Sequence, residues 1–224
     1  MTFSLVARCP RTGCFGVGAT TALPAVGKLV AHAWPQTGAA ATQARLNPYL
    51  GIDGIALMKD GMTAPEALGR LCDAEPRTEV RQFALVDWQG TPAAWTGAEC
   101  LDWAGHEAHE NLSVQGNRLA GPQVLRAAVE AFRDLDEEDL HERLLAGLEA
   151  GVAAGGDTDG EHSGTVFVVD KEEYPIWDIR VDHHEDPVAE LRRLQGIFAN
   201  RLVPEIRKMP TRARPAGDPT EESV

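Results

Sequence analysis

The stretch Thr2–Thr21, TFSLVARCPRTGCFGVGATT, decides the fold prediction because it holds two strand-like segments around a tight turn. Both segments are rich in apolar and β-branched residues, and Pro10 and Gly13 between them are typical turn residues. The chain is therefore expected to open with an antiparallel β-hairpin. Alternate side chains of a strand share a face. We expect the face with Phe3 to pack on helices and the face with Thr2 to border a cleft.

Thr2 also raises a chemical question, because it directly follows the initiator methionine. Methionine is commonly removed when the second residue is as small as threonine. The new N-terminus then carries a hydroxyl and an α-amine on one residue, and the amine has an ordinary pKa of about 7.7–8.0, which suits a base at neutral pH. Thr2 is therefore a candidate nucleophile. The alternative interpretation is the first polar residue of an ordinary strand.

Beyond the hairpin, strands and helices follow one another in groups: strands, two helices, strands, two helices, strands and a final helix. Strands are expected within 27–34, 37–44, 81–97, 111–117, 164–170 and 174–182, and helices within 50–62, 63–74, 121–135, 136–154 and 186–206. Hairpin-linked strands pair antiparallel, and helix pairs must cover the sheet faces. This order predicts an α+β fold, in which two mostly antiparallel sheets lie between helix layers. We expect one domain over 1–209 and a disordered tail, rich in proline, glycine and charge, over 210–224.

Composition excludes several classes of partner. The 224 residues carry 34 acidic and 21 basic side chains, a net charge of −13, which argues against nucleic acid because phosphate binding needs a basic face. No secretory signal is visible, and no segment approaches the roughly 18 apolar residues of a membrane span. A cytoplasmic protein is expected, with its four cysteines free. A disulfide between Cys9 and Cys14, which flank the first turn, is the open alternative.

Polar residues beside glycine or proline loops are the other candidates for chemistry. Amides donate and accept hydrogen bonds without titrating, which suits holding a carbonyl or an oxyanion, although the same residues are common in plain turns. Asp157 follows a glycine pair and could approach a backbone or an amine closely. The amides in question are Gln43, Asn47, Gln115 and Asn117.

Histidines suggest a second chemistry, metal binding. His106 and His109 are three residues apart, whereas the helical zinc motif of metalloproteases has its histidines four apart. His183 and His184 are a further pair in an acidic loop. A metal-dependent hydrolase that uses one of these pairs remains an alternative, while no metal or other cofactor is expected in the preferred interpretation.

Five blocks in a fixed order resemble a known family: MTFSLVARCPRTGCFGVGA, ATQARLNPYLGIDG, WTGAECLDWAGH, SVQGNRLAGPQV and LEAGVAAGGDTDGEHSG. They are similar to domain-of-unknown-function family 1028, whose members resemble N-terminal-nucleophile (Ntn) hydrolases. The resemblance runs from Thr2 to about Val169. It implies a four-layer αββα sandwich and places Thr2, after Met1 is removed, at the nucleophile position. Cys9 stands where many members carry an acid, and Lys28 is only a loose candidate for a lysine that tunes the nucleophile.

These observations lead to one expected activity, hydrolysis of the C–N bond of a small amide or small peptide by Thr2. Asp157 would anchor its ammonium, and backbone N–H groups of 38–41 with Asn117 or Gln43 would hold the oxyanion. The substrate-binding residues would be Asn47, His106, Gln115 and Gly116. We also expect a homo-oligomer. The remaining alternative is a non-catalytic binding or assembly module on the same fold.

Overall fold

The computed structural model describes residues 2–218. Strands and helices alternate in the groups that the sequence predicts. In chain order they are β1 (Thr2–Arg8), β2 (Phe15–Thr21), β3 (Ala31–Trp34), β4 (Gly38–Ala44), α1 (Pro48–Lys59), α2 (Ala64–Ala74), β5 (Arg81–Asp87), β6 (Pro92–Thr96), β7 (Trp103–His109), β8 (Leu112–Leu119), α3 (Gln123–Asp134), α4 (Leu140–Ala153), β9 (Ser163–Val169), β10 (Pro175–Val181), α5 (Pro187–Arg201) and α6 (Val203–Ile206).

The strands form two antiparallel sheets. A six-stranded sheet has the order β10-β9-β2-β1-β8-β7, and a four-stranded sheet has the order β3-β4-β5-β6. The predicted hairpin of β1 and β2 lies at the centre of the larger sheet. Gly13 closes its turn with φ +79°, a left-handed conformation that glycine adopts without a Cβ clash.

Because side chains alternate along β1, its two faces pack into two different apolar clusters. Phe3 and Leu5 point to the apolar cluster that the larger sheet forms with α3, α4 and α5. Val6 points the other way, into a cluster of small and β-branched side chains between the sheets. A third cluster joins the smaller sheet to α1 and α2. The protein is therefore a four-layer αββα sandwich, as predicted, and the face of β1 with Phe3 packs on helices, as predicted.

One strand was not predicted. Residues 103–109, to which the sequence analysis assigned no element, form β7 at the edge of the larger sheet, where this strand pairs with β8. The segment His106–His109 lacks the alternation of apolar and polar residues that would identify a strand. Pairing with β8 supplies the stability that the local sequence lacks.

The chain after α6 folds back onto the turn between β9 and β10. The hydroxyl of Tyr174 donates a 3.0 Å hydrogen bond to the carbonyl of Pro210, and Arg212 forms a 2.8 Å ion pair with Glu173. The remainder of the predicted tail, 219–224, lies outside the described residues. Over residues 2–218 all four cysteines are free, and no helix has the length and apolar character needed to cross a membrane.

Candidate functional site

Thr2 begins the central strand β1, which lies between β8 and β2 in the larger sheet. It pairs with Asn117 of β8, and the adjacent Phe3 pairs with Thr20 of β2. The side-chain oxygen Oγ1 of Thr2 lies 3.3 Å from Oγ1 of Thr21, and both threonines are buried. The hydroxyl of Thr2 is thus held where β1 begins, beside the last residue of β2 and next to β8, which extends two residues further.

A buried hydrogen-bond network connects this end of β1 to the smaller sheet. The amide nitrogen of Gln43, on β4, donates to the carbonyl oxygen of Thr2 at 3.1 Å, and its amide oxygen accepts from the hydroxyl of Ser4 at 2.6 Å. Gln115 of β8 donates to the same hydroxyl at 2.7 Å. The network therefore fixes both the backbone of Thr2 and the next side chain on its face.

Gln82 of β5 is the centre of this network, and the sequence analysis missed it. Its amide oxygen accepts hydrogen bonds from Gln43 at 2.8 Å and from Asn117 at 3.0 Å. Its amide nitrogen donates to the carbonyl oxygens of Gly116 and Gly105, at 2.8 and 3.0 Å. A glutamine on the inward face of an otherwise apolar strand was the available signal.

The two predicted oxyanion amides differ in what they can do. The amide nitrogen of Gln43 has three acceptors, the carbonyls of Thr2 and Gln115 and the side chain of Gln82. That of Asn117 has one short bond to Gln82 and one of 3.5 Å to the carbonyl of Thr2. A bond this long is weak, so Asn117 can turn a donor toward a ligand more easily than Gln43 can.

Backbone N–H groups of 38–41 do not form an oxyanion hole, so that expectation was wrong. The segment belongs to β4, which pairs with β3 on one side and β5 on the other. Interior strands use their N–H groups in the two ladders. No donor of this segment is therefore left for a ligand.

Asp157 lies beyond the N-terminal end of β1, between the two strands that flank it. It forms a bridge with Leu119, just past the end of the β1–β8 pairing, and its Oδ2 accepts a 3.4 Å hydrogen bond from the backbone of Ala22, just past β2. These partners follow those of Thr2 in each register. The carboxyl of Asp157 is thus placed in line with the N-terminal end of β1.

Burial sets the electrostatics of Asp157 and its neighbour Glu161. It raises the pKa of the Asp157 carboxyl, while hydrogen bonds from the backbone of Asp159 and Ala22 act in the opposite direction. Burial likewise raises the pKa of Glu161, whose Oε1 accepts a 2.8 Å hydrogen bond from the backbone N–H of Asp157. The loop after α4 therefore holds two carboxyls whose charged forms are poorly solvated.

A cavity of about 270 Å³ borders this end of the site. Asn117 is the member of the amide network that lines it, and its neighbours along the chain and across the sheets supply the rest. The lining residues are Ala44, Arg45, Arg77, Val80, Glu99, Cys100, Leu101, Asn117 and Arg118.

His106 lies on β7 opposite Gln115 and shares the polar face of the network. Its Nδ1 lies 2.9 Å from Oγ1 of Thr96, which also accepts a hydrogen bond from Gln82. Burial lowers the pKa of His106 and so favours its neutral ring. His109, three positions along the same strand, lies on the opposite face and contacts Glu107 at 3.2 Å. The two histidines do not converge on one metal position.

Asn47, the last predicted site residue, makes contacts outside this network. Its Oδ1 accepts a hydrogen bond from the backbone of Tyr49 and so caps α1, and its Nδ2 donates to Glu75 at 2.6 Å. Both polar ends of the side chain thus have partners at the start of α1 and the end of α2. The capping bond is the turn chemistry that its position before Pro48 suggests.

Comparison with known proteins supports the fold and the family. The family of unknown function (DUF1028) matches residues 2–191. Protein SPO2555 from Silicibacter pomeroyi, a DUF1028 structure, has a TM-score of 0.88 and 28% identity, over 96% of this chain and 98% of that one. Anbu (ancestral beta-subunit) from Yersinia bercovieri has a TM-score of 0.44 and 11% identity, over 88% and 97%. Among curated proteins no match was found. The chain belongs to the DUF1028 family, as its five sequence blocks implied.

Proposed function

We propose that the protein is an amidohydrolase that cleaves the C–N bond of a small amide or small peptide, with Thr2 as nucleophile after removal of Met1. One observation supports the proposal: Asp157 lies in line with the start of β1, where its carboxyl would meet the α-amine that processing exposes. A carboxylate at this place would stabilise the ammonium form of a free N-terminal amine.

The α-amine of Thr2 takes the proton of its own hydroxyl, and Oγ1 attacks the substrate carbonyl carbon. The Asn117 amide, which lines the cavity, turns a donor to the oxyanion; one such donor is typically worth about 2.7–4 kcal/mol of barrier. The protonated amine then gives its proton to the leaving nitrogen as the C–N bond breaks. Water hydrolyses the resulting ester and regenerates the hydroxyl. Asp157 accepts a hydrogen bond from the ammonium in both half-reactions.

The amides that contact Thr2 and Ser4 hold these residues in place and take no part in the reaction. Gln43 holds the carbonyl of Thr2, and Gln115 holds Ser4 on the same face. Gly116 contributes its carbonyl to Gln82. On the substrate side the proposal assigns His106 as a binding residue, whereas Asn47 is used in capping α1 and bonding Glu75 and is left out of the site. The proposal is for a cytoplasmic homo-oligomer that needs no cofactor.

The first test is the intact mass of the purified chain, which should lack methionine. Active protein that uniformly retains Met1 would overturn the mechanism. The second test compares Thr2→Ala with Thr2→Ser on an amide substrate found by screening wild-type protein. Both replacements permit removal of methionine, but only serine keeps a hydroxyl.

We expect Thr2→Ala to lose at least about a thousandfold in kcat, as for other nucleophiles, and Thr2→Ser to retain activity. Thr12→Ala is the matched control, because Thr12 lies exposed in the β1–β2 turn, at the other end of β1. Full activity in Thr2→Ala would point instead to the binding-module alternative or to another catalytic group.

A further inference from the structure

The cavity beside Asn117 concentrates guanidinium groups. Its lining contains three arginines, Arg45, Arg77 and Arg118, against one acid, Glu99. The chain as a whole has the opposite balance, with 34 acidic and 21 basic residues. Because the protein is acidic overall and the cavity is lined by arginines, anions should be attracted to this cavity.

The three arginines are held differently. Arg118 is fixed by ion pairs with Asp102 at 2.9 Å and Asp159 at 3.5 Å. Across residues 2–218, by contrast, the guanidinium groups of Arg45 and Arg77 make no hydrogen bond or ion pair, although their backbones are bonded in the surrounding turns. Two cationic groups at the cavity are thus free to bind a ligand without breaking a bond within the described protein.

Backbone strain gathers around the same cavity. Ala44 and Arg118, both in the lining, have φ of +67° and +56°, and Asp102, which pairs with Arg118, has +54°. Residues with a Cβ rarely adopt this left-handed region, which persists only where the surroundings enforce it. Such conformations cluster at active sites and ligand sites. Here the left-handed conformations occur at Ala44, directly before Arg45, and at Arg118, and all three residues line the same cavity.

We propose that this cavity binds an anionic group, a carboxylate or a phosphate, so that the substrates of the protein are anionic amides. Guanidinium groups bind both kinds of anion through paired N–H donors. Asn117 links the cavity to the nucleophile, since it lines the cavity and its Nδ2 lies 3.5 Å from the carbonyl of Thr2. The anionic group would occupy the arginine side while the scissile carbonyl lies at Asn117. The assignment of this ligand as a substrate rests on the proposed function; the anion site itself does not.

The test measures binding in processed Thr2→Ala protein, so that no probe is consumed. Three kinds of probe are titrated by calorimetry at low ionic strength: N-acetyl amino acids with small side chains, N-acetyl-O-phosphoethanolamine, and the neutral N-acetyl amino acid amides. We expect one anionic kind to bind at least about tenfold more tightly than the neutral amides, since 1.4 kcal/mol is a factor of ten. Whichever anionic kind binds more tightly identifies carboxylate or phosphate as the group.

The matched variants are two double replacements in the Thr2→Ala background. Arg45→Gln with Arg77→Gln should reduce the preference for the anionic probe to near unity. Arg126→Gln with Arg133→Gln removes the same charge from the exposed face of α3 and should leave the preference intact. Both pairs are exposed, so the folded state should persist, which circular dichroism can check.

Equal binding of anionic and neutral probes, binding of none of them, or an equal loss in both double variants would overturn the proposal. The proposed function fails separately. Tight anion binding in Thr2→Ala, combined with no amide turnover by processed wild type, would keep the anion site and remove the hydrolase. Turnover of neutral amides in preference to anionic ones would keep the hydrolase and overturn the proposal that its substrates are anionic.

Discussion

The side-chain amide of Gln43 donates a 3.1 Å hydrogen bond to the main-chain carbonyl of Thr2, and this bond joins the two sheets. The backbone of the candidate nucleophile is therefore held by the opposite sheet as well as by its own. Gln82 holds that same amide from the next strand, at 2.8 Å. A loss of these hydrogen bonds should therefore weaken the packing between the sheets and also displace the backbone of Thr2.

Replacement of Gln82 by alanine should destabilise the fold strongly. It removes four buried hydrogen bonds, those that Gln82 makes with the amides of Gln43 and Asn117 and with the carbonyls of Gly105 and Gly116. A buried hydrogen bond contributes about 0.5–1.5 kcal/mol to stability. We expect a loss of about 3 kcal/mol in the free energy of unfolding, measured by urea denaturation. Gln89→Ala, in the exposed turn after β5, should change it by less than about 0.5 kcal/mol, and a similar loss in both variants would contradict the central place of Gln82.

Asn117→Ala should lower kcat by about a hundredfold or more with a smaller effect on KM. The reason is that an oxyanion donor acts more strongly in the transition state than in the bound substrate. Steady-state kinetics on the screened amide would measure the two constants. Asn200→Ala, on the exposed side of α5, should behave as wild type. A change confined to KM would make Asn117 a binding residue only.

The pH dependence of kcat/KM should report the α-amine of Thr2. Activity should rise as the amine loses its proton, with a midpoint near or above the ordinary value of about 7.7–8.0 because a nearby carboxylate favours the ammonium. Asp157→Asn should move the midpoint to lower pH. Asp53→Asn, exposed on α1, should leave it unchanged. The same midpoint in Asp157→Asn and wild type would mean that Asp157 does not interact with the amine.

Glu161→Gln should gain stability relative to wild type as the pH rises. Burial raises the pKa of Glu161 above its ordinary value of 4.5. A carboxyl with a higher pKa in the folded chain favours folding while protonated, and this contribution is lost as the pH rises from the ordinary value through the folded-state pKa. Glutamine does not ionise, so the difference in unfolding free energy should grow over that window. Urea denaturation at a series of pH values measures it, and a difference that stays constant with pH would refute the argument.

Local patterns explain why so much of the fold could be predicted. Turn residues between apolar runs mark the β1–β2 hairpin, and Thr63 with Glu66 marks the start of α2, where the capping box is present. The edge strand β7 carries no such pattern, because it is stabilised by its pairing with β8. Its absence from the prediction reflects a non-local cause.

The candidate site divides along the same line. Residue type and the two-residue period of a strand were enough to predict that Thr2 begins a strand, that it shares a face with Ser4, and that amides and Asp157 are candidates. The folded structure was needed to show that Gln82 is the acceptor that these amides share, that 38–41 is an interior strand without free N–H groups, and that three arginines line one cavity. Those facts depend on which strands become neighbours and how the two sheets stack, and the spacing of residues along the chain does not encode such long-range contacts.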